Sequence, residues 1–169
     1  MSIFYPTLMK NKITDITVED LKALGVEGLL LDVDNTLARH KVPDVSDEVR
    51  AWLQTMRDAG IAMTVVSNGF ASRVLPVTEK LGMEAVALSC KPSPIGFWRG
   101  ARRLHLPLKK VCAIGDQVFT DVLGAHLAHI KVIQVIPYAL EYGYHTVMFR
   151  RHFEKGIVRR YQKKYGVPK

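Results

Sequence analysis

Short apolar runs alternate with longer amphipathic stretches along most of this chain. The apolar runs are rich in Val, Ile, Leu and Ala and show little polar alternation, which is typical of strands covered on both faces of a parallel sheet. There are five such runs: GLLLDV (28–33), IAMTVV (61–66), EAVALS (84–89), VCAIGD (111–116) and KVIQVI (131–136). The pattern therefore predicts a five-stranded, mostly parallel sheet.

The stretches between these runs have helical character. SDEVRAWLQTMRDAG offers Ser46 as an N-cap and Gly60 as a C-terminal stop. SRVLPVTEKLG is helical but contains Pro76, which kinks a helix or lies near its start. SPIGFWRGARRLH and TDVLGAHLAHI are helical stretches weakened by glycine. Strands that alternate with helices predict right-handed crossovers and a doubly wound, Rossmann-like α/β fold.

Charge divides the chain into two unequal parts. The 169 residues have the length of a single domain and carry a formal net charge of +8. Residues 149–169 contain eight Lys or Arg and one Glu, a net charge of +7, which leaves +1 for residues 1–148. We therefore predict a nearly neutral domain over 1–148 and a basic tail over 149–169 that favours an acidic partner.

The basic tail also carries apolar residues at every fourth position. They are Phe149, Phe153, Ile157, Tyr161 and Tyr165. On a helix they form one slanting stripe, although Gly156 weakens that helix. Three interpretations stay open. The stripe docks on the domain as a final helix, the helix makes peripheral contact with an anionic membrane surface, or the basic residues bind nucleic acid, which we favour least.

Cysteine usage and hydropathy exclude several classes of protein. Cys90 and Cys112 lie in unrelated contexts, so nothing indicates a disulfide framework or a zinc site. The first residues lack an apolar stretch of signal-peptide type, and no segment approaches the ~20 apolar residues of a membrane span. We expect a cytoplasmic protein, peripheral to the inner face of the membrane if its tail binds lipid.

Polar residues follow the ends of four successive predicted strands. Because parallel strands direct their carboxyl ends to one edge of a sheet, we expect these side chains to converge there. The candidate site residues are Asp32, Asp34, Ser67, Lys91, Asp116 and Asp121. Such a set of carboxylates with one hydroxyl and one ammonium describes a magnesium-assisted phosphoryl-transfer site.

The chemistry of phosphoryl transfer gives each candidate a role. Asp32, at the tip of the first predicted strand, is the nucleophile that forms an aspartyl-phosphate. Asp34 lies two residues further and therefore on the same side of an extended strand, where it acts as general acid and base. Ser67 and Lys91 bind the phosphoryl oxygens.

Mg²⁺ is the expected cofactor, because it prefers oxygen ligands and is usually held by one or two carboxylates with a phosphate and waters. Asp32 and Asp116 are the expected carboxylate ligands, and the backbone carbonyl of Asp34 completes the set. Asp121 is either a further ligand or an anchor behind the ligands. The cation would also relieve the repulsion between Asp32 and Asp116.

The stretches DVDNT, VVSNG, KP and GDQVFTD together resemble the four ordered motifs of the haloacid dehalogenase (HAD) phosphatase superfamily. LLLDVDNTLA and IGDQVFTDVLGA resemble most closely the type IIIA branch of YqeG-like bacterial phosphatases, which is similar to mitochondrial phosphatidylglycerophosphate phosphatases. The resemblance covers roughly residues 28–137. It implies magnesium, an aspartyl-phosphate intermediate and the residue roles given above. It also makes phosphatidylglycerophosphate the leading substrate.

The spacing of the motifs predicts a HAD fold without a cap domain. Asp32 and Ser67 are 35 positions apart, and Ser67 and Lys91 are 24 apart, which leaves room for one helix and one strand in each interval. An open site suits a phosphate on a large substrate such as a lipid, a protein or a nucleic-acid end. Oligomerisation could cover the site instead.

Two other classes of function fit part of the pattern. A receiver-like phospho-acceptor switch also uses an aspartate, a hydroxyl and a lysine, but Asp34 argues against it because a nearby acid–base promotes dephosphorylation. A nucleic-acid or ribosome-associated HAD protein would explain the basic tail, but the intact motif set argues against a vestigial site.

Overall fold

The computed structural model describes residues 2–38, 44–137 and 145–166, the last of these with side chains from residue 153 onward. A six-stranded parallel sheet forms its centre, with the strand order β1-β6-β5-β2-β3-β4. The strands are β1 (Leu8–Lys10), β2 (Gly28–Leu31), β3 (Ala62–Val66), β4 (Ala85–Val86), β5 (Val111–Gly115) and β6 (Lys131–Val135). The predicted doubly wound α/β fold is confirmed.

The prediction of five strands was wrong by one. β1 was missed because it has only three residues and buries only Met9, so it lacks the continuous apolar run of the other strands. Its existence depends on pairing at the sheet edge, where Leu8 lies opposite Ile133 in β6. Such edge pairing is a tertiary effect that a local pattern does not record.

Helices connect the strands. They are α1 (Val18–Ala23), α2 (Asp47–Asp58), α3 (Ala71–Lys80), α4 (Pro94–Arg103), α5 (Leu123–Leu127) and α6 (His145–Tyr165). A π-helical turn over Val118–Val122 leads into α5. Ser46 caps α2 by accepting a hydrogen bond from the backbone N–H of Val49, as the sequence predicts. Pro76 lies inside α3, where it removes one backbone donor.

The core has two layers, one on each face of the sheet. On one face, α2 and α3 contribute Trp52, Leu53 and Val74 against strand residues such as Leu29 and Leu31. On the other face, α4 and α5 pack against strand residues that point the opposite way. Helices on both faces explain why the strands are continuously apolar.

Two glycines that weaken α4 and α5 allow close packing in the second layer. A Cβ atom on Gly100 would lie 2.8 Å from Val66, and one on Gly124 would lie 2.5 Å from the ring of Phe97. The helices therefore approach the sheet, and each other, more closely than alanine would permit.

The strand order reverses between β2 and β5. From β2 the chain proceeds outward through β3 and β4, and it then returns to β5 and proceeds outward through β6 on the other side. In open α/β sheets, ligands bind beyond the strand ends at such a switch point. Asp32 follows β2 and Asp116 follows β5, so both acids flank this crevice.

The basic C-terminal segment forms the helix α6, and its described part packs on the domain. Tyr161 is buried, with its ring 5.5 Å from that of Tyr5 in an edge-on arrangement. The carboxylate of Glu154 accepts a hydrogen bond from the backbone N–H of Phe119 at 3.1 Å.

The stripe of every fourth residue does not form one buried face, because Phe153 is 54% exposed while Tyr161 is buried. The side chain of Phe149 lies outside the described residues. None of the described helices is both long enough and apolar enough to cross a membrane.

Candidate active site

The end of β2 presents two acids in different surroundings. Asp32 is buried, and its backbone N–H donates to the carbonyl of Ile114 at 2.9 Å, which extends the sheet by one residue. Asp34 is partly exposed. Asn35 then adopts a left-handed conformation, with φ of 59°, which asparagine tolerates better than most residues. The chain turns there, so Asp34 stands at the edge of the sheet.

A buried ammonium group links two of the carboxylates. The Nζ atom of Lys91 donates to Oδ1 of Asp32 at 2.5 Å, to Oδ1 of Asp121 at 2.7 Å and to the carbonyl of Val66 at 3.0 Å. All three of its donors are thus used, as a buried ammonium requires. Through these three contacts, Lys91 links residues at or just after the carboxyl ends of β2, β3 and β5.

The side chain of Asn68 positions the segment that carries Lys91. Its Oδ1 accepts from the backbone N–H of Lys91 at 2.7 Å and from the hydroxyl of Ser89 at 2.9 Å, and its Nδ2 donates to the carbonyl of Lys91 at 3.0 Å. Leu88 and Cys90 have positive φ values of 48° and 56°. These clamps hold a conformation that is costly for residues other than glycine.

Burial and neighbouring charges shift the pKa values of this group. Burial, together with the negative charges of Asp121 and Asp34, raises the pKa of Asp32 to about 7 against the opposing effect of Lys91. Burial alone would lower the pKa of Lys91, but Asp121 and Asp32 together raise it above its ordinary value. Lys91 is therefore a permanent cation, while Asp32 lacks full compensation for its charge.

Three buried carboxylates form a cluster that could hold a metal ion. Oxygen atoms of Asp32, Asp116 and Asp121 all lie within 4.8 Å of one another. Three carboxylates and one ammonium leave two negative charges, which a divalent cation would balance. The all-oxygen donor set suits Mg²⁺.

Asp121 has both carboxylate oxygens engaged by protein groups. Oδ1 accepts from Lys91, and Oδ2 accepts from the backbone N–H of Gln117 at 3.1 Å. Gly115 makes this approach possible, because a Cβ atom there would lie 2.3 Å from Cγ of Asp121. The contacts favour a role for Asp121 as an anchor that holds Lys91.

Ser67 lies at the end of β3 and is buried. Its hydroxyl oxygen accepts from the backbone N–H of Gly69 at 3.1 Å. The oxygen is thus oriented by the backbone while its proton can be donated to a ligand. Because Lys91 contacts the carbonyl of Val66, the residue before Ser67, the hydroxyl and the ammonium belong to one end of the crevice.

Arg73, in the first turn of α3, forms a contact that sequence reasoning missed. Its guanidinium donates to both carboxylate oxygens of Asp34, at 2.9 and 2.5 Å. A signal was present in the sequence, because a cation in the first turn of a helix opposes the helix dipole and so needs another partner. The pair orients Asp34 at the mouth of the crevice.

The intervals between the motifs contain the small elements that the spacing predicts. Between Asp32 and Ser67 the structure describes α2 and β3, apart from residues 39–43, and between Ser67 and Lys91 it describes α3 and β4. Neither described interval contains a cap domain, so no inserted domain in these two intervals covers the crevice.

Comparison with known proteins agrees with this architecture. The sequence model of the family described as "Hydrolase: haloacid dehalogenase-like hydrolase" matches residues 6–129. The chain is 35% identical over 155 residues to "Probable phosphatase YqeG" of Bacillus subtilis (strain 168), an alignment that covers 92% of this chain and 90% of that protein.

Solved structures share the fold at low sequence identity. An uncharacterized protein from Listeria monocytogenes serotype 4b is 14% identical, with a TM-score of 0.56 over 70% of this chain and 85% of that one. The cobalt-bound deoxy-D-mannose-octulosonate 8-phosphate phosphatase of Haemophilus influenzae is also 14% identical, with a TM-score of 0.54 over 84% and 92%. The chain belongs to the haloacid dehalogenase-like hydrolase family, among its YqeG-like phosphatases.

Proposed function

We propose that this protein is a Mg²⁺-dependent phosphomonoester hydrolase that acts through an aspartyl-phosphate on Asp32. The observation that carries the proposal is the buried Lys91 ammonium, held 2.5 Å from Asp32 beside the carboxylate cluster. A nucleophilic carboxylate, a fixed cation and a site for a divalent ion are what transfer of a dianionic phosphoryl group requires.

In the first step, a carboxylate oxygen of Asp32 forms a bond to phosphorus while the bond from phosphorus to the ester oxygen breaks. Asp34 donates a proton to the departing alkoxide. In the second step, Asp34 accepts a proton from water, the hydroxyl adds to phosphorus, and the bond from phosphorus to Asp32 breaks. Inorganic phosphate leaves, and both acids return to their starting states.

The remaining residues support these steps by position and charge. Lys91 and the Ser67 hydroxyl would donate to the phosphoryl oxygens, and Arg73 would hold Asp34 at the mouth until substrate arrives. Mg²⁺, held by Asp32, Asp116 and the carbonyl of Asp34, would supply charge that stabilises the dianionic phosphoryl group.

A large phosphorylated substrate fits this site best, and phosphatidylglycerophosphate is the leading candidate. The described part of the crevice has no cap domain, and apolar side chains stand exposed at its edge. Phe70 is 71% exposed three residues after Ser67, and Leu88 is 51% exposed three residues before Lys91. Exposed aromatic and aliphatic side chains beside a catalytic centre suit a lipid–water interface.

The test is phosphate release from phosphatidylglycerophosphate in mixed micelles and from p-nitrophenyl phosphate. We expect activity with Mg²⁺, none in excess chelator, and none from Asp32→Asn, whose neutral amide is a poor nucleophile. Substantial turnover by a folded Asp32→Asn protein would contradict the covalent mechanism. Full activity in excess chelator would contradict the metal site. Hydrolysis of p-nitrophenyl phosphate without hydrolysis of the lipid would leave a phosphatase with another substrate.

A further inference from the structure

The basic C-terminal segment carries one acidic residue among its cations, and that residue is buried. Glu154, in α6, is the only Asp or Glu in residues 149–169, and it is 4% exposed. A buried carboxylate is costly unless protein groups donate hydrogen bonds to it. The donor that Glu154 meets therefore shows what this part of α6 is placed to hold.

Glu154 caps the π-helical turn over Val118–Val122. Its carboxylate accepts a hydrogen bond from the backbone N–H of Phe119 at 3.1 Å, across 35 positions of sequence. The first N–H groups of a helix have no carbonyl partner within that helix, so a carboxylate from another element can satisfy one of them. The ring of Phe119 also packs edge-on against that of Phe4, with 5.7 Å between the centroids. The turn is thus held from outside, and its backbone is held by α6.

The same turn carries Asp121, which leads on to the candidate active site. Oδ2 of Asp121 accepts from the backbone N–H of Gln117 at 3.1 Å, and Oδ1 accepts from Nζ of Lys91 at 2.7 Å. Nζ also donates to Oδ1 of Asp32 at 2.5 Å. Hydrogen bonds and one turn of backbone therefore connect Glu154 in α6 to the proposed nucleophile.

Asp121 has no room to move independently of this turn. A Cβ atom on Gly115 would lie 2.3 Å from its Cγ, and its Oδ2 also accepts from the hydroxyl of Thr120 at 3.3 Å. A shift of the turn would therefore move the carboxylate and disturb the ammonium of Lys91 beside it. Misplacement of reacting groups by about 1 Å can lower a rate by roughly 100-fold.

We propose that Glu154 is a positioning residue for phosphoryl transfer. By capping the turn, it holds Asp121 against Lys91, and it thereby keeps Lys91 beside Asp32. The active arrangement is then complete only when α6 is docked on the domain. The inference rests on the proposed function of Asp32 and Lys91.

The experiment compares Glu154→Ala with Glu154→Gln and with the control Lys163→Ala, at an exposed position on the same helix. Glutamine keeps an oxygen that can accept from the N–H of Phe119, whereas alanine keeps none. Steady-state hydrolysis of p-nitrophenyl phosphate in saturating Mg²⁺ gives kcat and KM. Urea unfolding of the same proteins shows that each is folded under the conditions of the assay.

We expect Glu154→Ala to lower kcat by about tenfold or more with little change in KM, since misplacement acts on the transition state more than on binding. Glu154→Gln should retain about a third of the wild-type kcat or more, because a neutral acceptor is weaker than a charged one but keeps the contact. Lys163→Ala should match wild type. An unchanged kcat in folded Glu154→Ala, or equal losses in Glu154→Ala and Glu154→Gln, would overturn the proposal.

Amide hydrogen exchange, followed by NMR, gives a readout that does not depend on activity. We expect Glu154→Ala to speed exchange of the Phe119 N–H by about tenfold, while the N–H of Ser67, which donates to the carbonyl of Val86, keeps its rate. Unchanged exchange at Phe119 would contradict the cap, and equal acceleration at both amides would reveal a global loss of stability in its place. An active wild type with an unaffected Glu154→Ala rejects this inference alone. A wild type that hydrolyses no phosphomonoester rejects the proposed function, and exchange at Phe119 then decides whether α6 holds the turn.

Discussion

At the scale of single residues, the charges around Lys91 affect both the ionisation of Asp32 and the stability of the folded protein. Asp32 and Asp121 share one ammonium, and Asp116 adds a further buried carboxylate. Because burial raises the pKa of Asp32 to about 7, its ionisation is unfavourable until a cation arrives. Binding of a divalent cation should therefore offset the excess negative charge of this cluster.

A pH-dependent stability follows in the metal-free protein. The unfolded Asp32 loses its proton near 3.8, and the folded one near 7, so wild-type stability should fall as pH rises through this window and stay level above it. Asp32→Asn removes this dependence and leaves Lys91 paired with Asp121. We expect the variant to gain stability relative to wild type between pH 4 and 7, measured by urea unfolding in chelator. A difference that is independent of pH would contradict the assignment.

Asp34 gives a test between an enzyme and a phospho-acceptor switch. Asp34→Asn should slow hydrolysis of an alkyl phosphate by about 10²–10⁴-fold, because it removes only proton transfers. With p-nitrophenyl phosphate, whose leaving group needs no proton, phosphate should accumulate on Asp32, which mass spectrometry would detect. If the wild-type protein itself keeps a phosphoaspartate for many minutes, the receiver-like interpretation is favoured over the phosphatase.

The candidate site shows where sequence reasoning succeeds and where it ends. The six candidates could be placed at one sheet edge because strand ends are readable from apolar runs, and the structure gathers Asp32, Lys91, Asp116 and Asp121 there. The roles assigned to them remain predictions. The contact between Arg73 and Asp34 joins residues 39 positions apart through a helix whose orientation is fixed only by packing.

At the scale of elements, the strand ends are shaped by residues that lack side chains. β5 ends in Gly115 because the carboxylate of Asp121 occupies the space that a Cβ atom would need. The sequence pattern located β5 correctly, whereas β1 has only three residues and is too short for a hydrophobic pattern to reveal. Elements with continuous apolar faces were predictable, and an edge strand held mainly by pairing was not.

Two alanine substitutions with opposite outcomes test this view. Gly115→Ala should displace Asp121, lower stability by about 1–3 kcal/mol and sharply reduce phosphatase activity. Gly156→Ala lies inside α6, where an added Cβ meets nothing within 4 Å, and it should raise stability by about 0.5–1 kcal/mol. Thermal unfolding and p-nitrophenyl phosphate assays measure both. Full activity in Gly115→Ala would show that Asp121 need not stand where the structure has it.

At the scale of the whole molecule, α6 is attached to the domain and yet leaves many of its cations exposed. Tyr161 packs on Tyr5, so removal of the helix would disturb the fold as well as any surface contact. Lys163 and Arg160 are exposed and take no part in this packing. Substitution of these two cations therefore tests membrane attraction more cleanly than truncation.

We expect the double variant Arg160→Gln, Lys163→Gln to bind anionic phosphatidylglycerol vesicles roughly 30-fold more weakly than wild type at low salt, since each charge contributes about 1 kcal/mol. Rising salt should weaken the wild-type interaction as well. Co-sedimentation with anionic and neutral vesicles measures both effects. If wild type ignores anionic vesicles at low salt but binds RNA, a lipid surface is the wrong partner and nucleic acid becomes the better one.

The strand order has a consequence for how this protein is made. β1 pairs with β6, with Leu8 opposite Ile133, and β2 pairs with β5, with Leu29 opposite Cys112. When the ribosome has delivered the first half of the chain, β1 has no partner strand yet, and β2 has β3 on one side but no β5 on the other. Such a nascent chain should stay open, and dependent on chaperones, until residue 135 has emerged from the exit tunnel. Its candidate active site would then be assembled late, because β2 and β5, which precede Asp32 and Asp116, can pair only after residue 115 has emerged.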